Sequence, residues 1–206
     1  MSFLPPAAGP LWLASRSPRR RRLLAEAGVA VRVRPSGIDD GALRPGSVDV
    51  THWVASLAYL KGRWVAEALH RAGERVGTVL AADTVCLHDD CILGQPASEA
   101  EARTMLHAMR DQTHETLTGL CLISLADGRR WLLVDRAIVR YGHVSDGEIE
   151  AYVRSGEWRG KAGAYNLQDR LRAGWPIACR GDPATVMGLP MQRLRPWLTR
   201  LRKESR

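Results

Sequence analysis

Three helix starts in this chain carry their own side-chain caps, and apolar runs too short to be helices lie between them. Ser17 stands before Pro18 at a first helical position. Ser98 with Glu101, and Ser145 with Glu148, make the Ser-x-x-Glu pattern of a capping box. A cap satisfies backbone N–H groups that a helix leaves open, so it fixes where the helix begins. These signals predict helices from about Pro18 to Ala27, stopping at Gly28, then over 98–111 and 145–156. Helical periodicity adds 50–73 and a C-terminal helix near Leu189–Leu201. "LWLA" (11–14), "VAVRVRP" (29–35) and a segment around Trp175–Cys179 read as strands. So does 76–94, with a turn at Asp89-Asp90, while 114–144 holds two or three strands with a turn at Asp127-Gly128. The stretch from 157 to 174 reads as loop. Strands interleaved with helices define one α/β domain.

With 206 residues, 45% hydrophobic and 25% charged, the chain can bury a core of its own. No apolar run reaches the roughly 20 residues of a membrane span, and the proline-rich start does not resemble a signal peptide. Cys86, Cys91, Cys121 and Cys179 form neither C-x-x-C pairs nor zinc spacing, and read as small hydrophobes in a reducing cytoplasm. The net charge of +8 fits an anionic partner, but all its cations except Lys61, Lys161 and Lys203 are arginine. A lysine kept against such a bias suggests a need for a compact point charge rather than a planar fork. There is no helix-turn-helix, zinc-finger or RNP signature and no aromatic stripe, which argues against nucleic acid.

Three stretches carry chemistry. In "LASRSPRRRRLLAEAG" (13–28) a strand, a turn and a helix start aim free backbone N–H groups at one point, beside Ser15 and Ser17. Arg19 and Arg20 oppose the helix dipole there, and a bound anion would remove that conflict. Arg22 pairs with Glu26 and Arg21 points to water. Taken alone, the stretch is equally a phosphate site or a solvated basic face. In "VLAADTV" (79–85) Asp83 is placed near the carboxyl end of a buried strand, where α/β sheets collect ligands. It could hold a divalent cation, take a proton from water, or simply form a turn. In "KAGAYNLQD" (161–169) Lys161 suits phosphate and Gln168 suits a base edge.

Together "LASRSPRRRRLL", "AADTV", "KAGAYNLQ" and "VMGLP" (186–190) resemble the Maf family of nucleoside triphosphate pyrophosphatases from about Leu11 to Trp197. "LAYLKG" (57–62), "THETLTG" (113–119) and "GEIEAYV" (147–153) look like further family segments. The resemblance implies an elongated α/β fold: a mixed twisted sheet flanked by helices, with two lobes and a central cleft. It makes 1–206 a single domain with flexible ends at 1–10 and 202–206. It further implies a cytoplasmic enzyme, commonly a homodimer, that converts a nucleoside triphosphate substrate to the monophosphate and pyrophosphate with Mg²⁺ or Mn²⁺. Roles in nucleotide-pool cleaning and in arrest of cell division are linked to the family. Carried over by motif, Asp83 is the general base and Ser15, Arg19, Arg20, Lys61, Thr84, Lys161 and Gln168 bind substrate. Asp83 and Asp40 are the metal ligands. Arg19, Thr84 and Gln168 match the subgroup that prefers dTTP and UTP.

The chain departs from the family at Gln95, where a lysine is usual, at Asn166 and Asp169, which replace glycines, and in "EWRGK" before Lys161. Loss of one charge-assisted phosphate contact costs on the order of 1.5–3 kcal/mol, roughly tenfold to hundredfold in rate. A weakened, nucleotide-binding regulator is therefore the alternative to an efficient enzyme, ahead of a basic nucleic-acid-binding protein.

Overall fold

The computed structural model describes residues 9–39, 43, 45–89 and 91–204, with side chains described as far as 201. Asp40, expected to be a metal ligand, lies outside the described residues, as do 1–8 and 205–206 of the two ends. Within those ends, the Pro10 carbonyl accepts a hydrogen bond from Thr78 N at 3.0 Å, and residues 202–204 continue the last helix.

The strands are β1 (Leu11–Leu13), β2 (Arg32–Val33), β3 (Thr78–His88), β4 (Cys91–Leu93), β5 (Thr113–Ser124), β6 (Arg130–Tyr141) and β7 (Ile177–Arg180). They form one mixed sheet in the order β2-β1-β3-β5-β6-β7, with β4 on β3. The helices are α1 (Pro18–Glu26), α2 (Val50–Arg71), α3 (Glu99–Met109), α4 (Asp146–Ser155), α5 (Leu167–Arg172), α6 (Pro183–Val186) and α7 (Met191–Glu204). The α/β reading holds, and the capped helices begin where their caps place them.

Several details differ from the sequence reading. Ser145 and Glu148 complete a reciprocal box, but in α3 the Glu101 carboxylate turns to Ala97 N, so only the Ser98 half forms. β2 shrinks to two residues, since only Arg32 and Val33 find partners on β1. α5 falls where loop was expected and α6 in 180–188, to which no element was assigned; they are capped by Asn166 and Asp182. A helix of four to six residues has too few turns to show a period.

The chain divides into two compact units. The first holds Met1–Thr84, Thr118–Asp135 and Gly188–Arg206; the second holds Val85–Leu117 and Arg136–Met187. In the first, α2 lies against Val79, Ala81, Cys121 and Ile123 through Ala58, Val65, Ala66 and Leu69. Glycine makes that approach possible: a Cβ on Gly119 would stand 2.4 Å from the Val54 carbonyl oxygen. In the second, Leu106, Met109, Tyr141, Ile149, Tyr152 and Trp175 form the core.

Candidate active site

The turn from β1 into α1 is built from hydroxyls. Ser15 is buried, and its Oγ accepts from Ser17 N at 3.1 Å and from Arg20 Nη1 at 3.2 Å. Ser17 Oγ accepts from Arg20 N, capping α1. The first turn of α1 carries no acidic residue, so Arg19 and Arg20 stand at the positive end of the dipole as the sequence implied. Arg19 is half-buried, Arg21 is exposed, and Arg22 pairs with Glu26 at 3.6 Å. The basic run is thus a mixture: Arg21 and Arg22 form a solvated face, and Arg20 turns inward.

Arg20 donates from all three of its nitrogens. Nε bonds the Gly188 carbonyl at 2.7 Å, Nη1 bonds Ser15, and Nη2 bonds Thr84 Oγ1 at 3.1 Å. Thr84 Oγ1 lies 2.9 Å from Thr118 Oγ1. Sequence reasoning named Ser15, Arg20 and Thr84 but missed Thr118 and Gly188. Both stood in segments already noted, "THETLTG" and "VMGLP", without a role for their residues.

Asp83 is buried and lies in the middle of β3, not near its carboxyl end. The strand runs on because β4 pairs with Cys86–His88 after β1 has ended at the partner of Leu80. Asp83 therefore stands just past the carboxyl edge of the parallel β1–β3 pair, the position that gathers ligands in such sheets. Lys61 Nζ, from α2, bonds Asp83 Oδ1 at 2.5 Å, and the two side chains are only 12% and 9% exposed. Gly62, next to Lys61, lets the helix close on the sheet: its Cβ position is 3.2 Å from Ala81 Cβ.

Side chains alternate along a strand, so Asp83 and Thr84 face opposite sides of β3. The Lys61–Asp83 pair shares the α2 face with Ala81, and the Arg20–Thr84–Thr118 network occupies the other. Among the predicted residues of unit one, Lys61 and Asp83 form one group and Ser15, Arg20 and Thr84 another, one on each side of a single strand.

Lys161 and Gln168 belong to the second unit. Lys161 is 15% exposed and its Nζ is 3.7 Å from Asp169 Oδ2, so one departure from the family pattern supplies a carboxylate facing this lysine. The other, Asn166, caps α5: its Oδ1 accepts from Gln168 N and Asp169 N, which places Gln168 in the first turn. Gly163 and Ala164 both have positive φ, at 67° and 64°, a conformation that costs an alanine roughly 1–2 kcal/mol. The Tyr152 hydroxyl donates to the Ala164 carbonyl, holding that turn. Tyr165 OH pairs with His114 Nε2 at 2.7 Å. Burial, with His88 adding repulsion, lowers the His114 imidazole to about 4, and burial drives the Tyr165 phenol well above its usual range. Gln95 is exposed beside this segment, since Gly163 N bonds the carbonyl of neighbouring Gly94.

Among the described residues no three His, Cys, Asp or Glu side chains converge on a metal position. A caged ion therefore does not fit them. A Mg²⁺-type ion, which takes one or two carboxylates and otherwise water and phosphate oxygens, fits Asp83. No helix among the described residues is long and apolar enough to cross a membrane.

Comparison with known proteins matches residues 10–201 to the family model described as Maf-like protein. The dTTP/UTP pyrophosphatase of Salinibacter ruber is 41% identical over 185 residues, covering 90% of this chain and 87% of the relative. That of Halalkalibacterium halodurans is 41% identical over 184 residues, covering 89% and 92%. The nucleoside triphosphate pyrophosphatase of Synechococcus elongatus is 40% identical over 186 residues, covering 90% and 89%.

Proposed function

The chain belongs to the Maf-like protein family, and from that premise we propose that it is a nucleoside triphosphate pyrophosphatase acting on dTTP and UTP. The observation that carries this reading is the buried Lys61–Asp83 pair at the carboxyl edge of β1. Burying two charges costs several kcal/mol per ion before their attraction repays it, so such a pair is a poor choice for stability alone. It is a good one for fixing a carboxylate and an ammonium at a functional site.

In the reaction, a water oxygen attacks the α-phosphorus, the bond from that phosphorus to the α–β bridging oxygen breaks, and pyrophosphate leaves. Asp83 accepts the proton of the attacking water. Ser15, Arg19, Arg20, Lys61 and Lys161 hold the phosphates and offset the charge that builds in the transition state. Gln168, with both a donor and an acceptor, reads the uracil or thymine edge. Asp83 would supply the carboxylate for Mg²⁺ or Mn²⁺, with Asp40 as the second ligand. Such an ion polarises phosphate oxygens and orients the triphosphate.

We propose that 1–206 works as a single domain. We place the protein in the cytoplasm as a homodimer without nucleic-acid partners. The test is a turnover panel of triphosphates with Mg²⁺ or Mn²⁺. Monophosphate and pyrophosphate should appear in equal amounts from dTTP or UTP and vanish in Asp83→Asn. Bound nucleotide with no turnover of any triphosphate would replace the enzyme by a nucleotide-binding regulator.

A further inference from the structure

We propose that Thr118 is a positioning residue for Arg20, and that Thr84 acts on substrate through Arg20 rather than by touching the base. This rests on the pyrophosphatase reading above. A guanidinium is planar, and its orientation is fixed once donors on different edges are engaged. Arg20 is engaged by three segments distant in sequence: Ser15 after β1, Thr84 on β3, and Gly188 before α7. The Gly188 anchor is a backbone carbonyl, whereas the Thr84 hydroxyl, like that of Ser15, can leave Arg20 by a change of χ1 rotamer.

Thr118 removes that freedom. It is fully buried on β5, and its Oγ1 lies 2.9 Å from Thr84 Oγ1. The Thr84 oxygen accepts from Arg20 on one side and shares a hydrogen with Thr118 on the other, so one rotamer satisfies both. Gly188 closes the remaining side: a Cβ there would stand 3.2 Å from Arg20 Nε and 3.3 Å from Thr84 Oγ1. The strand alternation that turns Thr84 away from Asp83 also explains how a residue adjacent to the general base can serve a different group. What distinguishes a subgroup at position 84 is then the pose of an arginine on the phosphates.

Thr118→Val keeps shape and burial while deleting the hydroxyl; Thr118→Ser keeps the hydroxyl. Misplacing a binding group by a fraction of an ångström is costly, so Thr118→Val should lower kcat/KM about tenfold, with Thr118→Ser within about twofold of wild type. The loss should be the same factor for dTTP, UTP and any other triphosphate turned over, and Thr84→Val should behave alike. In an Arg20→Ala background Thr118→Val should cost nothing further, because its route to substrate is gone. Equal losses in both backgrounds, a loss confined to one base, or wild-type activity in Thr118→Val would overturn the proposal. A wild type that turns over no triphosphate would instead refute the pyrophosphatase reading. The proposal then stands or falls on NMR of the Arg20 Nη2–H that Thr84 Oγ1 accepts. That proton should be protected from exchange in wild type and exposed in Thr118→Val, and unchanged protection would overturn it.

Discussion

Replacing Lys61 by methionine would leave the Asp83 carboxylate without its ammonium partner. Both side chains are nearly enclosed, at 12% and 9% exposure, which removes the pair from the class of surface ion pairs worth about 0–1 kcal/mol. Breaking a buried pair by removing one member costs about 3–5 kcal/mol, because the remaining charge loses its compensation. For a chain of this size each kcal/mol moves the melting midpoint by about 2–4 °C, so Lys61→Met should melt about 6–20 °C lower. Lys61→Met/Asp83→Leu removes both charges and should regain most of that stability, or exceed wild type, since apolar replacements of buried pairs are often neutral or stabilising by about 1–4 kcal/mol. The double variant should be without turnover. Urea and thermal unfolding of the four proteins in the cycle measure this directly. A Lys61→Met cost below about 1 kcal/mol, or a double variant as weak as the sum of its parts, would show that the pair behaves as solvated.

Lys61→Arg keeps the charge but replaces a compact head by a longer planar one against Asp83, and should lower turnover more than tenfold; steady-state kinetics decide it. Gln95→Lys restores a cation beside the Lys161 segment and should raise kcat/KM about tenfold, measured against a charge-neutral Gln95→Met control. His114, lowered to about 4 by burial, binds fewer protons folded than unfolded. Its contribution to stability is therefore present above its ordinary value near 6.5 and is lost as pH falls from there through about 4. That lowering corresponds to about 3 kcal/mol, so unfolding free energies should drop across that window in wild type and vary less in His114→Phe. Burial raises the Cys86 and Cys121 thiols to about 12, while Cys91 is exposed, so iodoacetamide at pH 8 should label Cys91 first by mass spectrometry.

The sequence made the capped helices legible because a cap is local: Ser17 and Pro18, or Ser145 and Glu148, lie within a turn of each other. The site was legible as separate residues and not as an arrangement. Lys61 and Asp83 are 22 positions apart, and only the docking of α2 through Gly62 and Gly119 brings them together. Arg20 and Gly188 are 168 apart. Asp83 was misplaced along its strand because the apolar run ends at Ala82, whereas β3 continues to the turn read at Asp89-Asp90 and pairs there with β4. Asn166 reads as an intruder in a glycine-rich segment until α5 is seen to need a cap there.

The alternation of Asp83 and Thr84 has an outcome for how this strand can change. Insertion or deletion of a single residue upstream of Asp83 in β3, with the neighbouring strands held in place, would rotate every later side chain to the opposite face. The carboxylate would meet Arg20 and the hydroxyl would meet Lys61, so each partner would face the wrong chemistry. Substitutions along Thr78–Leu80 can be absorbed one at a time, but the length of that run cannot drift by an odd number. Among lineages of this chain, β3 should vary in composition and keep its count.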